Sequence, residues 1–162
     1  MNTTFRNRAA FGKRIEYYIA GLMLKDGLDV YMPLVDDDAI DVVVKRPDGK
    51  FVEVQIKGRS ADVAFGSAGL FAGLSHELRR NYWFVFYSER MDKIWILSSQ
   101  EFVREADQNK SGANAGKRNI HFNGRNGRTA SEHVRPQFER YIAENFRRLI
   151  DDDPDAVGSE GQ

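Results

Sequence analysis

Phe11, Ile15, Tyr18, Ile19 and Leu22 recur at three- and four-residue spacing, the period of an amphipathic helix, and Gly27 is its stop. Beyond it the period shortens towards two. Leu28–Leu34, Ala39–Lys45 and Phe51–Lys57 have the composition of strands, and Lys45-Arg-Pro-Asp-Gly-Lys50 reads as a hairpin turn between the last two. Residues 58–75 are rich in Gly, Ala and Ser and carry no clear period, so they read as a loop, with a short helix around Leu74–Arg80. Tyr82–Tyr87 is apolar at every position, as a strand covered on both faces should be. Lys93–Leu97 is a further strand, and Ser98 or Ser99 caps a helix through Asp107. Residues 108–130 form a Gly/Asn-rich loop with a short strand at Asn119–Phe122. A final helix opens at Ser131-Glu-His-Val-Arg-Pro136, with Phe138, Tyr141, Ile142, Asn145, Phe146 and Leu149 along one stripe.

The second and third strands fix their own register. Val52, Val54 and Ile56 share one face of Phe51–Lys57, while Glu53, Gln55 and Lys57 share the other. Ile40, Val42 and Val44 form the matching apolar set of the preceding strand. Both sets are buried together only if Val44 faces Val52, Val42 faces Val54 and Ile40 faces Ile56, because a slip of one residue would turn one set into water. That register leaves Pro47-Asp48-Gly49 as a three-residue loop with Gly49 in the left-handed position. It also sets Asp41 opposite Gln55, with Cβ atoms about 5 Å apart, and Glu53 and Lys57 on the same face.

Composition narrows the class. The 162 residues carry 24 basic and 24 acidic side chains, which excludes a globally basic or acidic binder. The chain is 41% hydrophobic and has no cysteine, so it can build a core but neither a disulfide framework nor a thiolate site. No apolar run approaches membrane-spanning length and the N-terminus lacks a signal-peptide pattern, so a cytoplasmic protein that engages no membrane is expected. Residues 1–150 read as one domain and 151–162 as a frayed acidic tail. Neutrality conceals two basic regions. Arg6, Arg8, Lys13 and Arg14 stand without an acid in residues 1–14, and Lys110, Lys117, Arg118, Arg125 and Arg128 do so in residues 109–128. Together with Arg59 on the third strand, Arg14 and the second group are the expected contacts to nucleic-acid phosphates.

Asp41, Glu53, Gln55 and Lys57 gather hard oxygen donors and an ammonium at one end of a rigid hairpin. Mg2+ accepts one or two carboxylates and a substrate phosphate, and a lysine beside that phosphate can stabilise developing charge or orient the attacking water. Such a set suits metal-assisted phosphodiester hydrolysis. It is also an ordinary solvent face of a half-exposed hairpin.

The run Asp41, eleven residues, Glu53-Val-Gln55-Ile-Lys57, after a helix carrying Glu16, resembles the PD-(D/E)xK nuclease superfamily of restriction endonucleases and Holliday-junction resolvases. The resemblance implies an α/β fold with a restriction-endonuclease-like core: a mixed central sheet containing an antiparallel meander, flanked by helices. It implies Mg2+ or Mn2+ as cofactor, DNA as partner, and admits a homodimer. Asp41 matches the motif aspartate, Lys57 the motif lysine and Glu16 the helical acid of some branches. Asp41, Gln55, Glu16 and Glu53 would then ligate metal, and Lys57, Glu16, Asp41 and Gln55 would serve catalysis. Two positions depart from the pattern. Gln55 stands where the second acid belongs, as in restriction enzymes that act on modified DNA, and Ile40 replaces the motif proline. The glutamine equally suits a nuclease-like fold that binds nucleic acid or protein without cutting.

Other candidates carry less. Asp36-Asp37-Asp38 reads as a solvated turn, because three consecutive residues cannot all face one site on a strand. Gly112–Arg118 lacks the spacing and the Ser/Thr of a Walker loop. His76, His121 and His133 have no metal-ligand spacing and read as surface or helix residues, and Trp83 and Trp95 as core.

Overall fold

A computed structural model describes residues 7–156. The first helix, α1 (Arg8–Lys25), is capped by Asn7, whose side chain accepts the Ala10 N–H, and Gly27 turns the chain with φ +88°. Strands β1 (Asp29–Tyr31), β2 (Val42–Lys45), β3 (Phe51–Arg59), β4 (Leu70–Leu74), β5 (Tyr82–Ser88) and β6 (Lys93–Ser98) follow. Helix α2 (Ser99–Glu105) starts at a reciprocal cap between Ser98 and Glu101. Next come β7 (Asp107–Gln108), β8 (Arg118–His121), β9 (Asn123–Asn126), β10 (Ser131–Val134), a 3-10 turn over Pro136–Tyr141, and the short α3 (Arg148–Asp151).

The main sheet has the order β1-β2-β3-β5-β6 and is mixed: β3 and β5 run parallel, and every other neighbouring pair is antiparallel. This is the mixed α/β sheet, meander and flanking helices expected from the sequence. Register in the β2–β3 hairpin is also as expected, with Val42 opposite Val54 and Val44 opposite Val52. Gly49 closes the loop at φ +85°.

Each face of the sheet has its own core. Ile15, Ile19 and Met23 of α1 pack on Val42, Val54, Ile56, Trp83 and Val85, joined by Phe146 and Leu149. Tyr82, Phe84 and Phe86 project to the other face, against Phe71, Phe102, Ile120, Phe122 and Phe138. Alternation along β5 thus supplies both cores, which is why no position in it is polar before Ser88. Trp83 and Trp95 are fully buried.

Three expectations fail. Residues 70–74 form a strand, and no helix forms at 74–80: β4 pairs with β8, which also pairs with β7. The segment from Ser131 is not a helix. Ser131–Val134 pairs with β9, and beyond the 3-10 turn Ile142 bridges to Trp95 while the Ala143 N–H bonds the Ile94 carbonyl. Closing the open edge of β6 satisfies backbone groups that a continued helix would leave exposed there. The apolar stripe is therefore split, with Phe138 and Tyr141 in one core and Phe146 and Leu149 in the other. His76 is neither a surface nor a helix residue. It is buried, stacked on Tyr82 and bonded to Ser99 Oγ at 2.7 Å.

The start of the acidic stretch is tied down. Asp155 accepts the Asn81 N–H at 3.1 Å, Arg46 donates to the Asp152 carbonyl at 2.6 Å, and Pro154 is buried. Residues 157–162 and Arg6 lie outside the described residues.

Candidate metal centre

The site is built where the chain from β1 arrives and β2 begins. Residues 32–41 form an irregular, mostly exposed connection. Ala39 takes a left-handed φ of +55°, and Asp41 lies in a bend whose N–H bonds the Val54 carbonyl at 2.9 Å. Asp41 and Val42 thus both address Val54, as at a bulge. This departs from the expected regular pairing: Ile40 does not join the face of Val42 but packs towards the second core.

The bend aims the Asp41 carboxylate at the edge of β3 that β2 no longer covers. Its Oδ2 accepts the Ile56 N–H at 2.6 Å, between Gln55 and Lys57 in the chain. Ile15 packs α1 onto this sheet face, so Glu16 follows at its rim. Glu16, Asp36 and Asp41 each bring a carboxylate oxygen within 4.8 Å of the others. Asp41 is buried, Glu16 half-buried and Asp36 exposed. Lys13, one helical turn before Glu16, contacts Glu16 Oε2 at 2.8 Å.

Burial first, and like charge after it, act on Asp41. Burial, then the charges of Glu16 and Asp36, raise its pKa to about 6, against the lowering by the Ile56 N–H and by Lys57. A divalent cation would relieve this arrangement, and an all-oxygen donor set suits Mg2+ or Mn2+ better than a softer ion. The residues present therefore fit such an ion.

The other expected site residues are placed as follows. Gln55 and Lys57 stand on the opposite face of β3 from α1. They line a polar groove of about 420 Å³ with Gly58, Arg59 and Leu70–Ser75. Gln55 Oε1 lies 3.2 Å from the Tyr82 hydroxyl oxygen. Glu53 is bonded to Arg79 at 2.5 Å and lies outside the carboxylate trio. Asp36 takes the third place in that trio. The Asp36–Asp38 turn is exposed as expected, yet one of its three carboxylates reaches the site because the chain there is irregular. The acidic triplet was the only sequence signal for it, and nothing local distinguishes Asp36 from its neighbours.

Among the basic residues, Arg14 is exposed on α1, and Lys110 and Lys117 belong to the β7–β8 connection. Arg59 and Arg118 are half-buried and donate to the carbonyls of Ser67 and His76. Arg125 lies on β9 and Arg128 in the turn after it, both exposed. Residues 109–128 thus hold the expected short strand as β8, and a second strand, β9, in place of the rest of the expected loop.

Carboxylates thus converge at one end of a meander in a mixed α/β sheet flanked by helices. The chain is similar in structure to a bacterial homing endonuclease, I-Ssp6803I, with a TM-score of 0.58 and 18% sequence identity over 85% of this chain and 89% of that one. At that identity the likeness is one of fold. No known family profile and no curated protein sequence matches the chain.

Proposed function

We propose that this protein is a divalent-metal-dependent nuclease of the PD-(D/E)xK kind, hydrolysing phosphodiester bonds in DNA with Mg2+ or Mn2+. The observation that carries the reading is the trio of Glu16, Asp36 and Asp41 carboxylates beside the strand that bears Gln55 and Lys57. The homing-endonuclease fold supports the same class. Glu16, Asp36 and Asp41 would hold the ion, with the Gln55 carboxamide as a neutral oxygen donor from β3. The ion supplies Lewis-acid stabilisation of the charge that develops on the phosphate. Glu16 would orient the attacking water by accepting its proton in a hydrogen bond. Lys57 would stand against the scissile phosphate, compensating its negative charge as the bond to the leaving oxygen breaks. Asp36 replaces Glu53 as the acid that offsets the charge missing at Gln55.

Supercoiled, branched and methylated DNA incubated with Mg2+ or Mn2+ test the reading, with Asp41→Asn as control. Metal-dependent cutting by the wild type and none by the variant is expected. No cutting of these substrates, of single-stranded DNA or of RNA, with no divalent metal bound, would overturn it in favour of a binding module.

A further inference from the structure

The connection that delivers Asp36 and Asp41 lacks regular secondary structure, and its acids repel one another and Glu16. Something must hold it against that repulsion. Two side chains that begin and precede β5 reach across to its backbone. The Tyr82 hydroxyl donates to the Ala39 carbonyl at 2.5 Å, and Arg79 Nη1 donates to the Asp38 carbonyl at 2.8 Å. Both holders are themselves fixed. The Arg79 guanidinium lies over the Tyr82 ring, 4.5 Å from its centroid, while its other nitrogen is bonded to Glu53. The Tyr82 ring is buried, with the His76 ring stacked beside it. Ala39 is the residue with the left-handed backbone. Such a conformation in a residue with a Cβ costs on the order of 1 kcal/mol and persists only where its surroundings determine it.

We propose that Arg79 and Tyr82 are positioning residues that hold the acidic connection in its metal-binding shape, with Glu53 orienting Arg79. The inference rests on the metal-centre reading above. Each acts through the backbone on either side of the Asp38–Ala39 bond, between Asp36 and Asp41, and Tyr82 also meets Gln55. Glu53 then has a role other than ligation. Its carboxylate neutralises the guanidinium and directs the free nitrogen of the fork to the Asp38 carbonyl.

Mn2+ titrated calorimetrically into the metal-free protein tests this without any nucleic acid. Tyr82→Phe keeps the ring and its stacking but removes the hydroxyl. Arg79→Gln removes the guanidinium from a partly exposed position and leaves the Tyr82–Gln55 contact in place. Both should weaken Mn2+ affinity about tenfold, as expected for groups that orient ligands without ligating, while the melting temperature of the metal-free protein stays near that of the wild type. Asp41→Asn should abolish binding. If the wild type binds no Mn2+, the metal-centre reading fails and the inference with it. If the wild type binds and Asp41→Asn does not, but Arg79→Gln binds as tightly as the wild type, the inference alone is overturned whatever Tyr82→Phe does, because Tyr82→Phe also frees Gln55. Should Tyr82→Phe fail to fold, Arg79→Gln decides: weakened affinity supports the hold on the connection, and unchanged affinity refutes it.

Discussion

At Asp41 burial and charge oppose each other, and the consequence is measurable. Its carboxyl, ordinarily at 3.8, stands at about 6 in the folded protein. A raised folded value means that the ionised form opposes folding: the cost is complete above about pH 6, shrinks as pH falls, and is gone below 3.8. Asp41→Asn keeps an oxygen for the Ile56 N–H and carries no charge. Without metal, the variant should be more stable than the wild type at about pH 7.5, by on the order of 1–2 kcal/mol, and lose that advantage near pH 4. His76 acts oppositely in the same window, since burial holds it down at about 4 against its usual 6.5. Stability from His76 is lost as pH falls from 6.5 to 4, but equally in both proteins, so it drops out of the difference. Denaturant melts across pH check this; a constant difference would refute the raised pKa of Asp41. Lys57→Met keeps the aliphatic stem and should change stability by no more than about 0.5 kcal/mol. In a plasmid-cutting assay with Mg2+ its rate should fall by a factor of about 100 or more. Wild-type cutting by this variant would place the chemistry on other residues.

Among the elements, the contact of α1 with β3 sets how far Glu16 stands from Asp41. Gly58, next after Lys57, lies directly under Ile15: a Cβ there would be 2.7 Å from Ile15 Cγ2. Ile15 is β-branched and cannot swing aside, so the helix itself would have to move. Gly58→Ala should therefore destabilise the fold by about 1–3 kcal/mol and weaken Mn2+ binding by carrying Glu16 away from its partners. Unchanged melting and Mn2+ affinity together would refute the close approach. The C-terminal segment shows the same dependence of an element on its neighbours. Pro136 starts a turn that a local pattern would continue as a helix, but the exposed edge of β6 captures Ile142 and Ala143 first.

Over the whole molecule the formal charge is zero, so DNA would be attracted by local faces. Lys117, Arg118, Arg125 and Arg128 belong to β8, β9 and the segments flanking them. Replacing all four with glutamine should weaken DNA binding and flatten the dependence of log affinity on log salt by about 0.9 for each phosphate that is no longer neutralised. Arg118 already donates to the His76 carbonyl and Arg125 lies against Gly66, so the flattening should fall short of that for four phosphates. A salt titration in which slope and affinity match the wild type would rule out these four residues as DNA contacts. Among the described residues no helix is long and apolar enough to cross a membrane.

What the sequence determined by itself was whatever depends on alternation and local backbone chemistry. The pairing of Val42 with Val54 and Val44 with Val52, the Gly49 loop, the two-faced β5 and the Ser98 cap all follow from residues within a few positions of one another. Those same rules marked Asp41, Glu53, Gln55 and Lys57 as candidates, and the resemblance to the nuclease superfamily added Glu16. Only the tertiary structure decided which acids meet. Glu53 shares a strand with Gln55 and Lys57 but is taken by Arg79, 26 residues later, whereas Asp36 reaches Glu16 and Asp41 through an irregular connection. It also made a strand of the Gly- and Ala-rich 70–74 segment, whose partner β8 lies more than forty residues further on. The physical reason is the same in each case. Edge hydrogen bonds and ion pairs join groups distant in the chain, and the periodicity of one segment carries no information about the partner that will satisfy it.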